Sequence, residues 1–348
     1  MIRQRVLYVG IGGTGLDLGV HLHEALQREI CGPDGRALNR VGTFANLEPN
    51  QLPKFVQNLL IDFNVTALNS AVRAMPGGNV TAAQSIQPAL DNFPAAATQL
   101  RMRQQGTVKS WLPDPPPPPH VEPAVKPYSA GAGQYPTVGR AALFSAMLSN
   151  GYGQTIGNDI QRTLQNLGNS LGELSAYTAT EESKVSADIS VYVGFSLSGG
   201  TGAGLFIDIL QLVIDELTKQ LSGNRATIIP IVYLPSTFDG VLNPTYKKRA
   251  ELNCAQGILD LQSLVASRQR HSPALRDLFT IEYPGKIAVS NATLVVGAPT
   301  IPVIAVIRKS AGMSKDDLSR AVSASVVAQL SYDSQVQAVD GSETANGF

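Results

Sequence analysis

The sequence predicts an α/β protein built on a doubly wound, mostly parallel sheet. Three observations carry that expectation. Apolar runs of strand length alternate with stretches of helical periodicity along most of the chain. Two of those runs pass directly into glycine clusters, residues 10–15 and 198–204, each followed by a helical pattern. No repeat with a period of about 20–50 residues appears, so a solenoid or propeller is excluded.

The elements follow in order. Residues 5–9 form a short apolar run suited to a buried parallel strand. After Gly10-Ile11-Gly12-Gly13-Thr14-Gly15, Leu18, Leu22, Leu26 and Ile30 recur every four residues, the stripe of an amphipathic helix. Residues 41–46 read as a second strand running into Leu47-Glu48-Pro49, and residues 54–73 as helical. From Met75 to about Pro127 the periodicity fails. Pro76-Gly77-Gly78 is a breaker, and Pro115 to Pro119 is an unbroken proline run suited to polyproline II. This Pro-rich insertion reads as a stiff surface connector or as a docking segment for a partner protein with an aromatic groove. Trp111, the only tryptophan, lies beside it as a local packing anchor.

Regular structure resumes with helical stretches at 139–149 and 157–176 and a strongly apolar strand at 189–195. A helix over 205–221 follows the second glycine cluster. A strand over 226–234, a helix over 247–268 and a β-like region over 279–307 come next. The last helix spans 315 to about 332, with Asp316 and Asp317 placed in its first turn, where the helix dipole favours acids. Residues 333–348 form a polar tail.

Composition narrows the function. The 348 residues allow roughly two domains on length alone. Charged residues are 16% of the chain, well below the globular norm of about 25%. Lys plus Arg and Asp plus Glu are each 27, so the net charge is zero and no nucleic-acid footprint is expected. Zero charge also removes the repulsion that keeps like molecules apart. Two cysteines and four scattered histidines exclude a disulfide scaffold and a Cys-rich zinc site. Pro299 and Pro302 break the most apolar late stretch, so no transmembrane segment is expected; a peripheral membrane link stays open. The chain reads as cytoplasmic.

The glycine clusters point to phosphate. Glycine lets backbone approach a ligand closely, and a helix N-terminus offers unpaired N–H groups and a favourable dipole. Residues 10–15 alone match the dinucleotide fingerprint G-x-G-x-x-G, which expects an acid about 20 residues on, at the second strand end. Glu48 falls too far along and beyond the expected strand. The Walker pattern G-x-x-x-x-G-K-[ST] is absent from the sequence. Ser198-Gly199-Gly200-Thr201-Gly202-Ala203-Gly204 sets four glycines and two hydroxyls between a strand and a helix. Two such loops on one sheet edge suit several phosphates held from two sides.

Residues 198–204 resemble the signature G-G-G-T-G-[SA]-G of the tubulin/FtsZ superfamily, with Ser198 in place of the first glycine. Other segments follow the family's order. Residues 10–15 resemble its first phosphate loop. Residues 44–49 resemble a strand end that supplies an acid near Mg²⁺, with Glu48 kept and Asn46 where tubulin has an acid. Gly131-Ala132-Gly133-Gln134, with Gly139-Arg140, resembles the loop closing over the γ-phosphate. Pro235-Ser236 through Asp239 and Asn243-Pro244 resemble the sugar-side loop. Lys247-Lys248-Arg249 resembles the basic helix start that follows it in FtsZ. Residues 317–324 resemble the start of the central helix, with Ser319 in place of the guanine-pairing Asn. The resemblance is to the divergent bacterial, FtsZ-like group.

The resemblance implies a tubulin/FtsZ-type domain over residues 1–332, enlarged by an insertion at about 75–127; the family's second domain is not evident beyond it. It implies GTP or GDP with Mg²⁺, and a protein that meets copies of itself head to tail in filaments. Phosphates would be held by Gly10, Ile11, Gly12, Gly13, Thr14, Ser198, Gly199, Gly200, Thr201 and Gly202, with Gly133, Gln134 and Arg140 at the γ-phosphate. Pro235, Asp239 and Asn243 would line the sugar side, Asn291 would read the base edge, and Glu48 would serve the metal. Each has a plainer reading: Thr201 as a helix cap, Arg140 as a surface residue, Asp239 and Asn291 as turn residues, Glu48 as a solvated acid. Hydrolysis in the superfamily needs an acid from the next subunit; Asp340 and Glu343 match no family motif, and no catalytic residue is assigned. Two alternatives remain, a non-polymerising guanine-nucleotide switch that binds a partner protein or membrane, and a Rossmann-type dinucleotide enzyme.

Overall fold

Six strands form one sheet in a computed structural model that describes residues 1–86, 92–103, 108, 111–112, 127–179, 187–220, 225–269, 281–285 and 299–339. They are β1 (Arg5–Ile11), β2 (Val56–Ile61), β3 (Val80–Ala82), β4 (Ile189–Ser196), β5 (Ala226–Tyr233) and β6 (Ala305–Ile307). Their order is β3-β2-β1-β4-β5-β6, and every neighbouring pair is parallel. β1 and β4 lie side by side at the centre, pairing from Arg5 with Ile189 to Ile11 with Phe195. Both are buried along their whole length, as central strands covered on both faces must be.

Helices cover the two faces. They are α1 (Gly12–Cys31), α2 (Val65–Arg73), α3 (Phe93–Arg103), α4 (Pro136–Asn150), α5 (Ile156–Gly168), α6 (Leu171–Thr178), α7 (Gly200–Gln220), α8 (Pro244–Gln269) and α9 (Lys315–Val339). The period of two along β1 divides the core. Leu7, Val9 and Ile11 pack with residues of α3, α4, α5, α7 and α8. Val6 and Tyr8 point the other way, to α1, α2, α6 and α9. The doubly wound parallel sheet expected from the sequence is therefore the fold. Among the described residues, no helix is long and apolar enough to cross a membrane.

Several local expectations are corrected. Residues 41–46 are not a strand; this stretch holds the 3₁₀ turn Gly42–Phe44, in which only Phe44 is buried. The second strand is Val56–Ile61, inside the stretch expected to be helical, and the helix there is only Val65–Arg73. Gln57 and Asn58 interrupt its apolar pattern yet lie buried, because their side-chain amides bond the Lys54 and Asn79 carbonyls. The unpatterned stretch 75–127 contains β3 and α3, whose buried Phe93, Ala96, Ala97 and Leu100 keep helical spacing. The last helix continues past 332 to Val339. In the β-like region, described strand structure is β6, a bridge between Thr227 and Thr300, and a bridge residue at Ile281. The proline run, Asn291, Asp340 and Glu343 lie outside the described residues.

Candidate phosphate-binding site

The strand order sets where a ligand can sit. From β1 the chain turns through α1 toward β2, and from β4 through α7 toward β5, in opposite directions. The switch point lies between β1 and β4, beyond their carboxyl ends, where open α/β sheets form their binding crevice. Both glycine clusters stand there.

In the first cluster no residue separates strand from helix: β1 ends at Ile11 and α1 begins at Gly12. Gly12 makes this turn with φ of +71°, a left-handed conformation that favours glycine, and a Cβ there would stand 3.1 Å from the Gly202 nitrogen. The two clusters thus touch one another. Gly13 faces open space; nothing lies within 4 Å of where its side chain would begin.

The second cluster runs from Ser196 through Leu197, Ser198 and Gly199 to the start of α7 at Gly200. The Ser196 hydroxyl accepts the Ser198 N–H at 3.1 Å. Ser198 Oγ is buried with no hydrogen-bond partner, an orphan that a phosphate oxygen would satisfy. The third loop, residues 131–135, packs beside it before α4 begins at Pro136. Gly200 N–H donates to the Gly133 carbonyl at 2.6 Å, and a Cβ on Gly200 would stand 2.4 Å from the Ala132 oxygen. Gln134 Oε1 is a second buried, unpartnered atom. The N-termini of α1 and α7, with that of α4 on the flank, therefore meet around one crevice, an arrangement that favours an anion.

The acid of this crevice is Asp62, a residue outside the sequence expectations. It follows β2 directly and is buried, bonded by the Asn64 N–H at 3.1 Å and by the Thr201 hydroxyl. Burial raises its pKa; the Asn64 and Phe63 amides and the Thr201 hydroxyl oppose that shift. A signal for it existed: an acid closing the run Leu59-Leu60-Ile61, two residues before Asn64, whose side chain caps α2 by accepting Ala67 N–H.

The remaining expected residues separate into groups. Gly10, Ile11, Gly12, Gly13 and Thr14 lie at the end of β1 and the first turn of α1, Gly133 and Gln134 on the third loop, and Ser198, Gly199, Gly200, Thr201 and Gly202 at the turn into α7, and these three segments converge. Pro235 begins a 3₁₀ turn after β5, and Asn243 caps α8 by accepting Tyr246 N–H at 3.0 Å. Asp239, between them, pairs with Lys247 at 2.8 Å, which lowers its pKa. Arg140 is directed elsewhere. Its guanidinium pairs with buried Asp208 at 2.9 Å and lies 4.9 Å over the Trp111 ring. Glu48 is exposed on the connection leading into β2. The neighbouring Asn50 and Gln51 carbonyls bond Gln27 and Cys31 at the far end of α1, so Glu48 sits at the opposite edge of the sheet from the crevice. The strand expected to carry it to the crevice does not form, and Asp62 stands at the carboxyl edge instead.

Orphaned Ser198 Oγ and the open space at Gly13 fit phosphate oxygens. Among the described residues no group of three or more His, Cys, Asp or Glu could hold a metal alone. Mg²⁺ characteristically takes one or two carboxylates plus phosphates and water, and Asp62 supplies one.

Residues 7–344 match the profile of a family described as tubulin-like. Among solved structures, a GTPγS-form protofilament of Bacillus thuringiensis serovar israelensis TubZ is similar at 11% identity with a TM-score of 0.36, over 94% of this chain and 56% of that chain. The GDP-form protofilaments of the same TubZ give 12% identity and a TM-score of 0.35, over 93% of this chain and 55% of that chain. The chain thus spans little more than half the length of these neighbours. No curated protein matches it.

Proposed function

The chain belongs to the tubulin-like family, and from that premise we propose that it binds a guanine nucleotide in the three-loop crevice and associates with copies of itself. The observation that carries the binding is the meeting of residues 10–15, 131–135 and 198–204 at the switch point, with unpartnered Ser198 Oγ buried among them. Backbone N–H groups of the first turns of α1 and α7 hold phosphates, with the Ser198 and Thr201 hydroxyls beside them. Gln134 and Gly133 close the site from the flank. Asp62 holds Mg²⁺, which neutralises phosphate charge when bound. Pro235, Asp239 and Asn243 border the sugar side. Guanine as the base rests on the family.

Self-association follows the same premise. A head-to-tail contact generates a filament when its rotation does not close a ring. A net charge of zero puts no like-charge barrier in the way. Hydrolysis of GTP at the contact between subunits is the corresponding activity.

Denaturing the purified protein and identifying the released nucleotide tests the first half. Guanine nucleotide is expected, and co-purified NAD(P) overturns it. High-speed pelleting with GTP, with GDP and without nucleotide tests the second. Bound guanine nucleotide without GTP-dependent pelleting moves the function to a switch that binds a partner.

A further inference from the structure

Helix α8 grips the third loop through two side chains. Asn253 Nδ2 donates to the Gln134 carbonyl at 2.9 Å. One turn earlier, the Arg249 guanidinium lies 4.3 Å over the ring of Tyr135. The helix is braced against the second cluster as well, since a Cβ on Gly257 would stand 2.6 Å from the Leu197 side chain. On its other side the loop is tied to α7 by Gly200 N–H donating to the Gly133 carbonyl. Residues 133–135 are therefore clamped between two helices, by backbone on one side and by side chains on the other.

The loop needs such a clamp. Gly131 and Gly133 sit at φ of +88° and +58°, so its chain is not held by a regular pattern of its own. The strand-end clusters are shaped by the sheet itself; the third loop's place depends on what grips it.

We propose that Asn253 is a positioning residue: its side-chain amide fixes the Gly133–Tyr135 loop against the first turn of α7 and so sets how tightly the loop closes on the terminal phosphate of a nucleoside triphosphate. The proposal rests on the nucleotide-binding reading above. If the third loop meets the terminal phosphate, as the family resemblance implies, a diphosphate held by the two strand-end clusters would not need that loop, and Asn253 would separate triphosphate from diphosphate affinity. A single side-chain hydrogen bond is worth about a fivefold to tenfold change of that ratio.

The test is calorimetric titration of the full chain with Mg-GTP and with Mg-GDP. Asn253→Ala removes the donor, and Asn253→Asp keeps the shape but sets a carboxylate against a carbonyl. Both are expected to weaken GTP about tenfold and leave GDP within twofold. Asn253→Gln, which keeps an amide donor, is expected to recover part of the loss. Equal weakening of GTP and GDP, or an unchanged ratio in both variants, overturns the proposal. Wild-type protein that binds neither nucleotide overturns the nucleotide reading itself, a separate failure visible before any variant is made.

Discussion

At Asp62 the chain keeps a carboxyl where charge is costly. Burial raises its pKa against the opposing Asn64 and Phe63 amides and Thr201 hydroxyl, so the folded state holds this proton more tightly than the unfolded chain does. The sign follows: this group's contribution to stability is full below its unfolded value of about 3.9, is lost as pH rises through the folded value, and is a net cost at neutral pH. Asp62→Asn keeps an oxygen for the Asn64 and Phe63 amides and for Thr201 but removes the buried charge. The variant is expected to be more stable than wild type by about 1 kcal/mol at pH 7 without ligand, with the difference vanishing near pH 4. The same change is expected to abolish the Mg²⁺-dependent part of nucleotide affinity. Melting curves across pH, with and without Mg²⁺ and GTP, check both; a variant less stable at pH 7 contradicts the first. Beside it, Thr201→Arg puts a long cation into a position only 8% exposed and is expected to eliminate nucleotide binding. Unchanged affinity for a fluorescent GTP analogue would remove this loop from the site. Thr201 was legible because its motif is local. Asp62 was hidden by Gln57 and Asn58, which break the apolar pattern of the strand that carries it, whereas Glu48 looked right only while 41–46 passed for a strand.

At the scale of elements, the three loops meet one another through close backbone approach. A methyl on Gly200 would collide with the Ala132 carbonyl, which belongs to backbone and cannot swing away. Gly200→Ala is therefore expected to displace the third loop, lowering both melting temperature and nucleotide affinity. Gly13→Ala meets no protein atom and is expected to leave the melting temperature unchanged. Similar melting temperatures for the two variants would count against this packing. Helices α4 and α7 are joined farther along by Arg140 and Asp208, with Tyr283 OH also donating to Asp208 at 3.0 Å. Removing one partner of a buried pair strands the other charge. Asp208→Ala is expected to cost about 3–5 kcal/mol, measured by urea unfolding followed through the emission of Trp111, whose ring lies under the same guanidinium. A cost below about 1 kcal/mol would show that solvent already screens the pair. The sequence disclosed these helices through their periodicity and glycine starts. It did not disclose that Arg140 turns to Asp208, because the choice between a phosphate and an acid eight residues into another helix is made by tertiary packing.

For the whole molecule, alternation of strands and helices made the doubly wound class legible, and two strand–glycine–helix junctions marked the edge that carries the candidate site. The third loop becomes part of the site only through the order β3-β2-β1-β4-β5-β6 and the docking of α4 on α7. Those are relations between segments far apart in sequence, which periodicity does not encode. The same long-range closure makes a ligand a staple for the entire fold. A ligand bound only to the native state adds RT ln(1 + [L]/Kd), about 2.7 kcal/mol at a hundredfold excess over Kd. Because residues 10–15, 131–135 and 198–204 come from three separate stretches of the chain, GTP is expected to raise the melting temperature of one cooperative transition, continuously with the logarithm of its concentration. A melting temperature that does not move with GTP concentration would count against binding to the native state. The proposed self-association would add a second, separable dependence. With Lys plus Arg and Asp plus Glu balanced at 27 each, there is no net repulsion for salt to screen. GTP-dependent pelleting is therefore expected to change little between low and high ionic strength, and the melting temperature in saturating GTP to rise with protein concentration. A melting temperature independent of protein concentration, with no pelleting at any salt, would leave a monomeric nucleotide-binding protein. Pelleting that collapses on adding salt would instead assign the contact to opposed charged patches, which zero net charge conceals.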